Sequence, residues 1–426
     1  KDSKLNTGVT FNQLNLIVNE INLQKQFLDF ETFQLKNLKG NLVFGKKDEK
    51  ITTPSLDTTS IKQEGWKVKL NNADLQNVAF KFDDMKSKPT QKGIDYSHLD
   101  LKQLNLKAQK IDYNNSNISG NINSFTVKEK SGLNVQELKT NFFYGQKEAY
   151  LKNLYLKTPQ TLLRNKVIVK YNSIENISKD FENLVVEADL NQSKIAFQDI
   201  LIVAPQLANT NPFKSNPTAV LYVNTNLSGK LKDLDIPYFQ ISGIGNTKVD
   251  VSGKITGLPD MKKAFFDLDI KKLESTAKDV MSFVPPKTIP SNIQLPANFK
   301  ANGKFKGSMN NFQTKLALNS SYGNAKVDAL FDQRVKNKEN YDAKVAFADF
   351  DLGKLIKNDS IGKITLNAKV KGSGLDPKTA NAQLEAIVNK ATYNKYTYKD
   401  LTLKGKIENG LYDLKSDMND PNLTFK

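Results

Sequence analysis

The chain has 426 residues, a formal charge of +17, 38% apolar residues, a single histidine and no cysteine. Without cysteine there can be no disulfide or thiolate site, and one histidine argues against a hydrolase triad or a structural zinc site, so no enzyme activity, metal or cofactor is expected. No run approaches the ~18 consecutive apolar residues of a membrane-spanning helix, and the thin apolar content suits a sheet that is apolar on one face only.

The basic charge is almost entirely lysine; Arg164 and Arg334 are the only arginines. Nucleic-acid readers favour the bidentate guanidinium, and these lysines alternate along strands instead of forming one block. No nucleic acid is expected as a partner. The pattern reads as a solvated outer face with weak attraction for anionic headgroups.

Taken in chain order, the dominant signal is period two, which sends alternate strand side chains to opposite faces. Trp66 follows Gly65 and should pack at a strand end. His98 reads as an ordinary loop or strand residue. Leu101, Leu104 and Leu106 alternate with Lys, Gln and Asn, in a less regular phase than later segments. Gly120-Asn121, Gly245-Asn246, Gly323-Asn324 and Asn409-Gly410 predict turns.

Three short helices are predicted. Asp199 to Ala204 carries Ile200, Leu201 and Val203 and stops at Pro205. Lys271 to Val284 puts Leu273, Ala277, Val280, Met281 and Val284 on one helix face, with Pro285-Pro286 ending it. Asp351 to Lys357 holds Leu352, Leu355 and Ile356 as a single turn.

The clearest strands lie in the C-terminal half. Phe299, Ala301, Gly303 and Phe305 alternate with Lys300, Asn302, Lys304 and Lys306, although Asn302-Gly303 also fits a bulge or turn. Phe312, Thr314, Leu316 and Leu318 form the next stripe, then Ala325, Val327, Ala329 and Phe331. Ile364, Leu366, Ala368 and Val370 follow, then Leu401, Leu403, Gly405 and Ile407. Lys371-Gly372-Ser373-Gly374 lacks the context of a phosphate-binding loop and reads as a turn. Gly245–Asp250 is echoed at Gly323–Asp328, and a Gly-Lys-apolar step recurs at Gly229, Gly253, Gly303 and Gly405. Irregular spacing makes this decayed repetition of one β unit.

Strands of about 7–10 residues joined by short turns predict roughly 25 strands in an antiparallel meander. Its apolar face must leave water, and three short helices cannot cover it. Sandwiches, closed barrels or an open half-pipe lined by a foreign molecule are the solutions. Sandwiches would bring linkers, and the best candidates, near 204–217 and 285–296, fit loops equally well. The expected fold is therefore all-β: a long antiparallel meander curled into an open, twisted half-pipe, or β-groove, with a few short helical inserts. Residues 1–426 are expected to form one continuous segment of it, and the start at Lys1 and the strand-like Asn422–Phe425 suggest an internal piece of a longer protein.

The expected lining is Phe266, Leu268, Phe299, Phe305, Phe312, Leu316, Leu318, Val327, Phe331, Val345, Phe347, Ile364, Leu366, Leu401 and Leu403; by pattern alone each also fits an ordinary core residue of a closed sandwich, and the resemblance described below is what favours a lining. Acyl chains of phospholipids are its natural filler, each buried methylene giving roughly 0.8 kcal/mol. A scaffold or chaperone offering strand edges to clients, or a surface adhesin built of sandwiches, are the other readings.

Pro285 to Pro296, leading into the strand with Gly303-Lys304-Phe305-Lys306-Gly307, resembles the translocation and assembly module (TamB) members of the AsmA-like superfamily. Asp349 to Leu355, Val370 to Ala380, Tyr393 to Leu401 and Asp420 to Leu423 follow in the order seen in Bacteroidetes-type members. The resemblance is good from about Thr218 onward. It implies a periplasmic β-groove anchored in the inner membrane through a segment not present here. It also implies movement of phospholipid between the two membranes, a part in outer-membrane protein assembly, and an outer-membrane BamA-family barrel as partner, contacted through a part outside these residues.

Overall fold

The computed structural model describes residues 5–45, 65–177, 180–284, 289–335, 337–376 and 378–426. The protein is all-β: about 66% strand and 7% helix, with 25 strands and three α-helices among the described residues. Two compact units divide the chain, Lys1–Asn226 and Leu227–Lys426.

The first unit contains β1 (Leu5–Thr10), β2 (Gln13–Asn22), β3 (Phe27–Lys36), β4 (Lys39–Phe44), β5 (Lys67–Asp84), β6 (His98–Asn114), β7 (Asn117–Glu129), β8 (Asn134–Gly145) and β9 (Glu148–Lys157). Then come β10 (Leu162–Lys170), β11 (Val185–Asp189), β12 (Ser193–Ala196) and helix α1 (Phe197–Val203). From β5 to β10 each strand pairs antiparallel with the next. The start departs from the expected meander. Strands β3 and β4 run parallel to β5, with Phe27 opposite Lys67 and Lys39 opposite Ala79. A parallel pair needs a long crossover, and the stretch between Phe44 and Lys67 provides the length that two-residue hairpins lack.

Strand β13 (Val220–Lys230) spans the boundary between the units. The second unit continues with β14 (Asp233–Ile244), β15 (Thr247–Thr256), β16 (Phe265–Thr276), α2 (Ala277–Phe283), β17 (Asn298–Ser308), β18 (Asn311–Ser320), β19 (Gly323–Asp332) and β20 (Asn340–Asp351). Helix α3 (Leu352–Ile356), β21 (Ile361–Ser373), β22 (Asn381–Tyr393), β23 (Tyr396–Glu408), β24 (Leu411–Asp420) and β25 (Leu423–Phe425) complete it. From β14 to β25 every strand pairs antiparallel with its successor.

Local chemistry explains these joints. Asn409 and Gly410 have φ of 48° and 80°, the left-handed pair that matches strand twist in a two-residue hairpin. Gly245-Asn246 also forms its predicted turn. Gly120-Asn121 instead lies inside β7, and Gly323-Asn324 opens β19, the turn falling at Ser321-Tyr322. Lys371 to Ser373 are the end of β21, not a turn. Gly303 is a strand residue in unbroken register with β18, at φ 137°; a Cβ there would lie 1.9 Å from the Lys315 carbonyl oxygen. Gly253 repeats this geometry against Asp267, so part of the recurring glycine step marks close backbone approach.

The helices are shorter than predicted or shifted. α2 begins only at Ala277, and Leu273 belongs to β16, opposite Ala301. The alternation of Phe266, Leu268 and Ile270 carries the strand past Lys271, where a register shift brings Leu273 back to the same face. Pro285-Pro286 lies outside the described residues. α1 starts two residues earlier than Asp199 and ends before Pro205, and α3 matches the expected turn.

Helices α2 and α3 are each anchored to an earlier hairpin. Asp279 in α2 accepts the Asn246 N–H at 2.9 Å, reaching the β14–β15 turn. Asp351 caps α3 and donates its N–H to the Tyr322 carbonyl at 2.7 Å, at the β18–β19 turn. Asp420, at the end of β24, accepts the Tyr396 hydroxyl and the Lys399 N–H at 2.6 and 2.9 Å, beside the β22–β23 turn. Each aspartate ties the end of one strand to the hairpin two strands before it. In the first unit Asp199 of α1 accepts the hydroxyls of Thr158 and Thr161, between β9 and β10.

Candidate functional site

The registers of the second unit place all fifteen expected lining residues on one face, because residues directly opposite each other in paired strands share a face. Leu268 of β16 faces Phe305, and Phe266 faces Gly307, which faces Phe312. Leu316 faces Val327, and Phe312 faces Phe331. Val345 opposes Val327, and Phe347 opposes Ala325, the partner of Leu318. Leu366 opposes Phe347, and Ile364 opposes Phe350. Through Val388 and Ala386 of β22 the rows reach Leu401 and Leu403. Phe299 starts the same stripe on β17, opposite Ser320.

Four of these rings form a file across neighbouring strands. Phe266 meets Phe305 edge-on at 6.3 Å, Phe305 stacks on Phe312 at 5.3 Å, and Phe312 tilts against Phe331 at 5.7 Å. Such pairs add about 0.5–1.5 kcal/mol each beyond area burial. All fifteen side chains are half-buried, neither fully enclosed nor fully exposed. A residue inside a closed sandwich would lose nearly all its accessibility. Here neighbours along the face shield one another, and a full second layer over the face would bury them further.

One end of the face is closed. Tyr322, Ala325 and Phe350 form a buried cluster, packed by Leu318, Phe347, and Leu352 and Leu355 of α3. Leu318 and Phe347 belong to the expected lining, whereas Tyr322 and Phe350 do not. Leu234 and Ile236 of β14, both buried, extend the face beyond Phe266 and Leu268 through Ile255 and Gly253. Ala386 and Val388 of β22 are also buried within it. They escaped the sequence reading because Ile387, an apolar residue on the opposite face, breaks the local phase.

The reverse face is charged. One row across it reads Asp269, Lys304, Lys315, Asp328, Lys344, Lys369, Glu385, Lys404 and Lys415. Lys315 pairs with Asp328 at 3.1 Å and Lys404 with Glu385 at 2.9 Å. The hydrogen bond from Lys404 holds the Glu385 carboxyl below its ordinary pKa. In the neighbouring row Lys306 pairs with Asp267 at 2.7 Å.

A cavity of about 820 Å³ crosses β17 to β23. Its wall comes in consecutive triplets, such as Lys315-Leu316-Ala317, Lys344-Val345-Ala346 and Glu385-Ala386-Ile387. The outer members of a strand triplet share one face and the middle member points away. Leu318, Phe347 and Leu366, the next residues along the apolar face, are not among its walls. The cavity is therefore a trough on the charged face, floored by the strand backbone. Of the expected lining only Leu316, Val327, Val345 and Leu403 border it. A second trough of about 510 Å³ shares the wall formed by Lys344, Lys369, Glu385 and Lys404.

Elsewhere, His98 is buried at the start of β6, with Nε2 3.0 Å from the Ser87 carbonyl and Nδ1 3.3 Å from the Asp83 carboxylate. Trp66 stands 41% exposed just before β5. No group of three or more His, Cys, Asp or Glu side chains suited to a metal ion occurs among the described residues. Comparison with family models, with curated proteins and with solved structures finds no match to this chain.

Proposed function

We propose that the second unit is a lipid-conducting surface: acyl chains of phospholipids lie along the apolar face between β16 and β23. One observation carries this reading, the gathering of fifteen half-buried apolar side chains on a single face. Filling that face with methylenes removes apolar area from water at roughly 25 cal/mol per Å². The resemblance of the segments from Pro285 and Val370 to TamB-type proteins supports the same reading, and with it a periplasmic setting between two membranes. Native mass spectrometry of gently purified protein, followed by lipid extraction, tests it. Bound phospholipid, lost in Leu366→Lys, is the expected result; protein free of lipid under these conditions refutes the proposal.

A further inference from the structure

The charged face carries a feature that the apolar face does not explain. Lys344 and Lys369 lie directly opposite each other on β20 and β21. Like charges so placed repel. The acids flanking them in the row are turned to other lysines: Asp328 to Lys315 and Glu385 to Lys404. The ammonium pair sits in the wall shared by both troughs; among the described residues neither lysine forms a salt bridge, although Glu385, opposite Lys369, also feels its charge. Across the larger trough the facing row mixes Asn302, Lys326, Asn367 and Thr402 with Ala317, Ala346 and Ile387, and Ile387 is 58% exposed on a face otherwise rich in lysine. Seven strands at about 4.8 Å spacing make the trough on the order of 29 Å long.

We propose that this trough is a second site, separate from the apolar face, for a single-chain anionic lipid. Its phosphate bridges the Lys344 and Lys369 ammonium groups, and its acyl chain runs past Ala346 and Ile387. Charge complementarity selects the anionic head; the elongated trough, with Ile387 exposed in it, selects a chain instead of a compact anion. The site stands whether or not the apolar face conducts lipid.

Lauroyl lysophosphatidic acid is the probe, titrated by calorimetry below its micelle concentration, with glycerol 3-phosphate as the headgroup alone. Three variants are compared with the natural chain: Lys344→Glu with Lys369→Glu, Ile387→Glu, and Leu366→Lys on the other face. The first two alter exposed side chains, and circular dichroism checks the fold of each. The expected result is one lipid equivalent weakened at least tenfold in both charged-face variants and retained in Leu366→Lys, with no binding of glycerol 3-phosphate. The proposal is overturned if the charged-face variants change affinity less than tenfold, if Leu366→Lys removes all binding, or if glycerol 3-phosphate binds as tightly as the lipid.

Discussion

Asp279 accepts a hydrogen bond from the backbone N–H of Asn246, a residue 33 positions earlier in the chain. The carboxylate is 9% exposed, and Gly245 beside the turn has φ 54°, with any Cβ there falling 2.0 Å from Asp279 Oδ1. Asp279→Ala leaves the Asn246 donor without its acceptor and should lower stability by about 1–3 kcal/mol. Urea unfolding measures this, with Lys278→Ala, an exposed neighbour, as the control that should change little.

Gly303 is a position where a side chain is poorly tolerated. Its φ of 137° and the 1.9 Å approach to Lys315 oxygen require the backbone to move. Gly303→Ala should cost about 2–3 kcal/mol. Gly405→Ala is the contrast: the nearest atom is the movable Leu414 Cδ1 at 3.1 Å, and the loss should stay under about 1 kcal/mol. Equal losses at both sites would show that backbone conformation is not the cause.

Acid should destabilise the protein in a defined window. Burial pushes the carboxyls of Asp95, Glu129 and Asp351 up, but hydrogen bonds from Thr90 and Ser97, from Ser131, and from Lys354 outweigh it, leaving all three low. The Tyr396 hydroxyl and the Asn422 N–H lower Asp420. Folded pKa values below the unfolded ones mean stability that is complete above the ordinary carboxylate range and lost as pH falls through the lower folded values. Melting temperature against pH should show this fall, with a shallower slope in Asp351→Asn. A melting temperature that stays flat down to pH 3 contradicts it.

The phenyl file predicts a graded response. Phe312 contacts the rings on both sides, at 5.3 and 5.7 Å, but remains half-buried. Phe312→Ala should therefore lose about 1–3 kcal/mol, below the range for a fully enclosed ring, and Phe312→Leu less. Thermal or urea melts decide; a loss above about 4 kcal/mol would imply a covered core at this position.

Charge placed on the apolar face separates function from folding. Leu366→Lys and Phe305→Glu replace half-buried residues, so the sheet should persist by circular dichroism while transfer of fluorescent phospholipid between vesicles stops. Transfer that continues unchanged in both variants removes the apolar face from the mechanism.

Much of this architecture was legible because alternation is a local property. Phe299 to Lys306 and Ile364 to Val370 each display their faces within one strand, and register then aligns them. What escaped depends on partners distant in sequence. The parallel run of β3 and β4 beside β5 is set by a long connection, which alternation does not encode. Leu273 satisfies both a helical stripe and a strand stripe, and pairing with Ala301 chooses between them. Tyr322 and Phe350 look like turn and strand-end residues until α3 folds over them. The trough on the lysine face was invisible because Ala317, Ala346 and Ile387 come from three different strands.

The aspartate clasps set a natural increment for this kind of protein. β17–β20 with α3, and β21–β24, are each tied by their own closing aspartate to a hairpin inside the same four strands. Such a block can be duplicated or deleted without severing a clasp in its neighbour, and each adds about 19 Å of ribbon. Span then becomes a quantity that gene duplication can adjust in whole steps.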